Sequence, residues 1–289
     1  MDFIKEAITE WIMELLISGI LSNLSGMFDS VNEKVAEIAD VVSLTPQQWN
    51  SAIFNMVESL SETVIMPVAG VILTFVACYE LIQMVIDKNT LHDVDSWMFF
   101  RWFFKTCVAV MIITNTWNII MGIFELSQSV VNSAAGVAAA DAAVDIGAII
   151  PDLESRLMDM EVGALLGLWF QSLIVGITMW ALVICILVVV FGRMTEIYLV
   201  SAVAPIPMAT MVNREWGQMG QNYLKSLFAL GFQAFLIIIC VAIYAALVNN
   251  IATVDDISKA IWTCMGYTVL LCFSLFKTGS LAKSVLSAH

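Results

Sequence analysis

Histidine is almost missing from this sequence, and its scarcity removes most routes to catalysis. The two present, His92 in a polar loop and His289 at the end, form no Ser/His/Asp set and no metal-ligand cluster. A phosphate-cradling glycine loop and a Walker motif are missing too. The sequence therefore predicts no enzyme, no catalytic residue, no metal and no cofactor, and a chain that must draw energy from a partner. Six cysteines occur (Cys78, Cys107, Cys185, Cys240, Cys264 and Cys272), all inside apolar stretches and none at C-x-x-C spacing. No disulfide framework or metal knuckle is expected; they read as small buried side chains. Charge is scarce: 13% of residues are charged against 60% hydrophobic, with mean hydropathy +0.90. That balance excludes an ordinary soluble domain. Met1–Thr9 carries two acids and one lysine with no leader-like apolar core after it, so no cleavable signal is expected.

What the sequence does have is length without charge. Ala164–Phe191 runs 28 residues, and Ser226–Val248 runs 23, without Asp, Glu, Lys or Arg. About 20 apolar helical residues cross a hydrocarbon core, so the chain reads as an all-α, polytopic membrane protein. Five spans are expected: Val64–Ile86, Phe103–Phe124, Ala164–Phe191, Ser226–Val248 and Ala260–Phe276. Residues 1–63 read as extracytoplasmic amphipathic helices, with one stripe over Phe3, Ile4, Ala7, Ile8, Trp11, Ile12 and Leu15. A second stripe runs over Phe28, Val31, Val35, Ile38 and Val42. Both are expected to cover the bundle or its interface. Thr45-Pro46-Gln47-Gln48 predicts a capping box opening a helix that runs into the first span, with Pro67 a potential kink. Residues 64–124 hold the first two spans, joined by the loop Asp87–Ser96. Trp97, Arg101, Trp102 and Lys105 form a headgroup belt at the second span's entrance. Residues 125–163 read as a mostly helical outer excursion divided by Pro151. Residues 164–276 form the remaining core and 277–289 a cytoplasmic tail.

The segment 197–212 breaks this pattern, because Pro205 and Pro207 interrupt its hydrogen-bond ladder. If it does not cross and the N-terminus is outside, eight cations lie inside and four outside. If it crosses, the split is five to seven. The positive-inside rule favours the first arrangement, making 197–212 a broken or re-entrant hinge with a cytoplasmic C-terminus.

Candidate functional residues stand out because ionisable and polar groups in a membrane are costly. Glu80 lies within the first span. Arg193 and Glu196, at i and i+3, can pair on one helix face. Asn115 and Asn118, with Thr114 and Thr116, suggest interhelical hydrogen bonds or a polar lining. Gly163 and Gly167 suggest a close helix contact. Arg214, Asn222 and Lys225 lie on the link after the prolines, placed to meet cytoplasmic partners.

From Arg193 to Phe235 the sequence reads RMTEIYLVSAVAPIPMATMVNREWGQMGQNYLKSLFALGFQAF. The Ala204-Pro205-Ile206-Pro207 core follows an E-x-Y-L turn, and a polar link with Asn222, Tyr223 and Lys225 enters a Gly/Gln-containing span. This resembles the TrbL-type polytopic subunit of type IV secretion and conjugal transfer systems, in its Gram-positive conjugative-element version. The resemblance implies a channel or platform subunit of the cytoplasmic membrane, homo-oligomeric in a ring of about five or six copies. Implied partners are membrane lipids, a VirB-four-like ATPase, a coupling ATPase, a cell-wall-facing lytic component and a transient single-stranded DNA–relaxase substrate. Two other readings stay open from the residues alone. One is a secondary transporter using Glu80 as proton carrier; the other is a structural scaffold for the transfer ATPases.

Overall fold

The capping box predicted at Thr45 closes in the structure, a computed structural model describing residues 2–86, 96–142, 146–251 and 256–288. The Thr45 hydroxyl accepts from Gln48 N–H at 3.3 Å, and Gln48 Oε1 accepts from Thr45 N–H at 3.1 Å. The described residues form helices and connections with no strand. In chain order the helices are α1 (Asp2–Val42), α2 (Pro46–Trp49), α3 (Ser51–Leu60) and, after a π-turn (Ser61–Ile65), α4 (Met66–Ile86). Then come α5 (Ser96–Thr114), α6 (Thr116–Ala142), α7 (Ile146–Met158), α8 (Val162–Ala202) and α9 (Pro205–Ala209). A 3-10 turn (Thr210–Val212), α10 (Gly217–Ile251) and α11 (Ile257–Val285) complete the chain. The loop before Ser96, with His92, lies outside the described residues, as do His289 and the side chains of Phe3, Val31 and Val35.

Among the described residues six helices are long and apolar enough to cross a membrane, one more than the sequence count. The extra one is Glu6–Ser30 within α1. The two amphipathic helices expected there form one continuous helix of 41 residues. Its buried face is Leu16, Ile17, Ile20, Leu24, Met27 and Phe28, whereas Ile4, Ile8, Trp11 and Leu15 stay exposed. The stripe expected to cover the bundle therefore points away from the unit that α1 belongs to, as a lipid-facing or partner-facing surface does.

Other boundaries shift for identifiable reasons. The helix from Pro46 does not run straight on: Asn50 is extended and its side chain recaps the chain, accepting from Ile53 N–H at 3.0 Å. Pro67 is the second residue of α4, just after the π-turn 61–65 that Met66 N–H closes on Ser61 O. Pro151 sits inside α7 rather than dividing the excursion. There α7 packs on α1 with Leu157 fully buried, so tertiary burial outweighs the missing bond.

The chain divides into two compact units. One comprises residues 1–42, 131–190 and 236–278. Inside it Asn23 donates to Ser172 at 2.9 Å, Ser258 to Gln171 at 2.8 Å, and the Tyr244 and Thr268 hydroxyls meet at 3.0 Å. A Cβ on Gly19 would lie 2.9 Å from the Trp169 indole nitrogen, so a larger residue there would force the indole to shift. Gly163 and Gly167 face open space, so the expected small-residue contact is not made among the described residues.

The other unit comprises residues 43–130, 191–235 and 279–289. Antiparallel α4 and α5 form a hairpin, and the proline-containing segment packs along it. Ala69, Leu73 and Val76 of α4 and Ala109 and Ile113 of α5 enclose Met208, Ala209 and Val212. A second cluster joins Ile120, Ile123 and Phe124 to Met194, Ile197, Leu227 and Leu230.

A clamped proline break as the candidate functional site

The interruption is narrower than the sequence suggests: Ile197–Ala202 belongs to the last turns of α8, and the break falls at Val203 and Ala204. Proline nitrogens at 205 and 207 donate nothing, so the ladder tightens, with Ala204 N–H on Ser201 O at 3.2 Å and Ile206 N–H on Val203 O at 3.1 Å. Pro205 then opens α9 as its first residue, where a missing N–H costs nothing. Thr210 Oγ1 donates to Pro207 O at 2.8 Å, and the 3-10 turn leads to Asn213 in an extended conformation.

Asn213 is the pivot. Its side-chain oxygen accepts from Glu215 N–H at 2.7 Å and Trp216 N–H at 3.0 Å, and its backbone carbonyl accepts from Gly217 N–H at 2.9 Å. These bonds turn the chain into α10. The side-chain amide of Asn213 donates to Glu80 Oε2 at 2.9 Å, across 133 residues. Glu80 is 5% exposed, and its other oxygen accepts from Lys105 Nζ at 2.9 Å. Arg214 N–H adds a longer bond to Oε2, at 3.4 Å. One carboxylate thus binds α4, α5 and the end of the proline segment together. Around it, Gln83 donates to Glu215 at 3.0 Å and Trp102 donates to Ala77 O at 2.8 Å. Phe75, Tyr79 and Trp216 stack with centroids 5.7 to 6.5 Å apart.

At its other end the segment is held near Trp117. Tyr198 OH donates to Pro46 O at 2.7 Å, and Tyr198, Trp117 and Phe54 share one buried cluster. Tyr223 OH donates to Val200 O at 3.1 Å. The break is therefore pinned at both ends, while its middle meets α4 and α5 through apolar contacts.

Arg193 and Glu196 do not pair, contrary to expectation. Arg193 is buried and its Nε donates to Leu230 O at 3.0 Å, whereas Glu196 binds Lys283 at 2.7 Å. Their helix positions permit an i, i+3 pair, but the packed neighbours α10 and α11 offer partners at shorter reach. Asn115 interrupts the α5–α6 run and turns outward; its amide donates to Met111 O at 2.9 Å, and Asn118 donates to Asn115 Oδ1 at 3.3 Å. Both are exposed, so they line nothing within this chain. Thr116 is buried on Ile113 O. Asn222 accepts from Gln218 at 3.1 Å, and Arg214 and Lys225 are exposed. Among the described residues no three of His, Cys, Asp and Glu gather as a metal site.

Asn213, Gln83 and Lys105 were missed as site residues. Lys105 read as part of a headgroup belt, and its 25-residue separation from Glu80 hid the pairing. Asn213 carried one local signal: Asn followed by a polar run and Gly217 is a turn sequence.

In comparison with known proteins, the family described as TrbL/VirB6 plasmid conjugal transfer like protein matches residues 31–205. That range includes Glu80 and Lys105 and ends at Pro205. No curated protein and no solved structure matches the chain.

Proposed function

Because the chain belongs to the TrbL/VirB6 family of plasmid conjugal transfer proteins, and so is a membrane subunit of a type IV secretion system, we propose that it forms the channel or platform around which the transferred substrate passes. In this reading it is not an enzyme; the transfer ATPases supply the energy and copies of this chain surround the path. The observation that carries the proposal is the clamp on the proline break. Glu80, Lys105 and Asn213 fix one end of a segment whose helical ladder is interrupted at Pro205 and Pro207 and reduced to one short helix and a 3-10 turn, which suits a joint between a membrane hairpin and the helix that leaves it. The same geometry disfavours the transporter reading, because the carboxylate a proton carrier would use is occupied by three donors.

Copies of the chain are expected to close on one another. The outward polar group at Asn115 and Asn118 and the exposed apolar face of α1 are surfaces that a neighbouring copy would cover. Purified protein imaged in detergent is expected to form closed rings of about five or six subunits, the symmetry that head-to-tail contacts require. A uniform monomer would remove the platform reading.

We also propose that the Glu80 end of the hairpin faces the cytoplasm. If Glu6–Ser30 crosses, Lys5 joins Lys88, Arg101, Lys105, Arg193, Arg214, Lys225, Lys277 and Lys283 inside, leaving Lys34, Arg156 and Lys259 outside. That nine-to-three bias is stronger than the eight-to-four of an external N-terminus. The contact of Arg214 N–H with Glu80, beside Lys105, agrees with both cations lying on one side. A cysteine replacing Arg214 should react with an impermeant reagent only in inverted vesicles, and one replacing Arg156 only in intact cells. The opposite pattern at either position would overturn this orientation.

A further inference from the structure

Sharing Lys105 and Asn213 with the clamp, a groove of about 420 Å³ opens between α5 and the turn from the 3-10 helix into α10. That volume is within the range of ligand sites. Its floor is apolar: Val108, Ala109, Ile112 and Met211 line it, and Phe104 stands exposed at its edge. Its mouth holds two charged residues, Lys105 and Arg214, and both are cations. Neither nearby acid lines it. Glu80 is turned to Lys105 and Asn213, and Glu215 accepts from Gln83 at 3.0 Å. The Arg214 side chain is exposed and makes no bond among the described residues. Arg101 lies one helical turn before Lys105 and is exposed too, so a third cation stands close to the mouth.

We infer that this groove is a binding site for one anionic phospholipid of the surrounding bilayer. An amphiphile with a negative head is the ligand whose two ends match the two ends of the groove. The phosphate would take Arg214 and the free hydrogens of the Lys105 ammonium, and an acyl chain would lie over Val108, Ala109 and Ile112. The depth is right for a head group. Stacked Phe75, Tyr79 and Trp216, and the Trp102 indole on Ala77 O, give this end of the hairpin the aromatic belt found at membrane–water boundaries. A bare phosphate would leave the apolar floor uncovered, and a zwitterionic lipid would bring its own ammonium against Arg214, Lys105 and Arg101, so a head group of net negative charge fits best. The site borders Asn213, so an occupied groove would brace the outer side of the clamp.

Native mass spectrometry of the full chain, with phosphatidylglycerol or phosphatidylcholine added in detergent, tests this. The unaltered protein should retain phosphatidylglycerol about fivefold more than phosphatidylcholine, the preference expected of one unpaired cation at a membrane surface. Arg214→Gln should erase that preference, and because its side chain is exposed the fold should survive. Val108→Trp, which fills the apolar floor, should lose both lipids, while Lys225→Gln on α10, outside the groove, should change nothing. Equal retention of the two lipids, or an Arg214→Gln protein that still prefers phosphatidylglycerol, would overturn the assignment. So would displacement of the lipid by inorganic phosphate together with undiminished binding in Val108→Trp, since that marks a simple anion site.

Discussion

Replacing Glu80 by alanine should release the proline segment from the hairpin and cost about 2–3 kcal/mol of stability. The figure lies below the roughly 3–5 kcal/mol lost when one member of a fully buried pair is removed, because the Lys105 side chain is 41% exposed and can rehydrate. Asn213 cannot compensate so easily. It is buried, and its amide would keep only the longer bond to Gln83 Oε1, at 3.4 Å, while its oxygen still holds the N–H groups of Glu215 and Trp216. Protease cleavage at Arg214 should therefore rise along with a fall in the thermal midpoint in detergent. Glu80→Gln should be intermediate, since a neutral amide presents one donor and one acceptor to a site that offers only donors. The double change Glu80→Met with Lys105→Met should recover part of the loss, because removing both charges avoids a stranded one. An unchanged midpoint and an uncut Arg214 in Glu80→Ala would show that the clamp holds nothing.

Gly220→Ala is expected to do comparable damage by a different route. A Cβ at 220 would stand 2.6 Å from the Pro207 carbonyl oxygen and 2.2 Å from Met211 Cγ. The methionine can swing aside. The carbonyl cannot, because Thr210 Oγ1 is bonded to it and α9 is wedged among Leu73, Val76 and Ala109. Overpacking of this kind costs about 1–3 kcal/mol, and here it would push α9 away from α10. Gly70→Ala is the control: it lies in the same unit, in a helix, with open space around its Cβ. It should be neutral or slightly stabilising. A circular-dichroism melt that ranks Gly70→Ala below Gly220→Ala would contradict the close approach. Conjugal transfer should follow the same order if the break is a working joint.

Much of this architecture can be read before folding is considered, and the reason is range. The Thr45 capping box acts over three residues, and a crossing helix needs only continuous apolar length, so both are legible in a single pass. The proline break was legible too, because Pro205 and Pro207 act on bonds within four residues. Its limits were not: Ile197–Ala202 has no local reason to stop being helix and stays in α8. The N-terminus misled for a related reason. Acids at Glu6, Glu10 and Glu14 gave α1 an amphipathic look, but its inward face is the later one around Ile20 and Leu24, chosen by α7 and α8.

By itself, then, the sequence determined an all-α membrane protein, four of its apolar crossings, with the second placed across the break at Asn115 and Glu6–Ser30 missed, the place of its proline joint and its family, whose match covers residues 31–205. The tertiary structure alone decided the pairings: Glu80 with Lys105 and Asn213, Arg193 with Leu230 O, Glu196 with Lys283. Helices that are apolar on every side carry no stripe to say which face turns inward. Their rotation is fixed only when neighbours pack, and with it the partner that each rare polar group can reach.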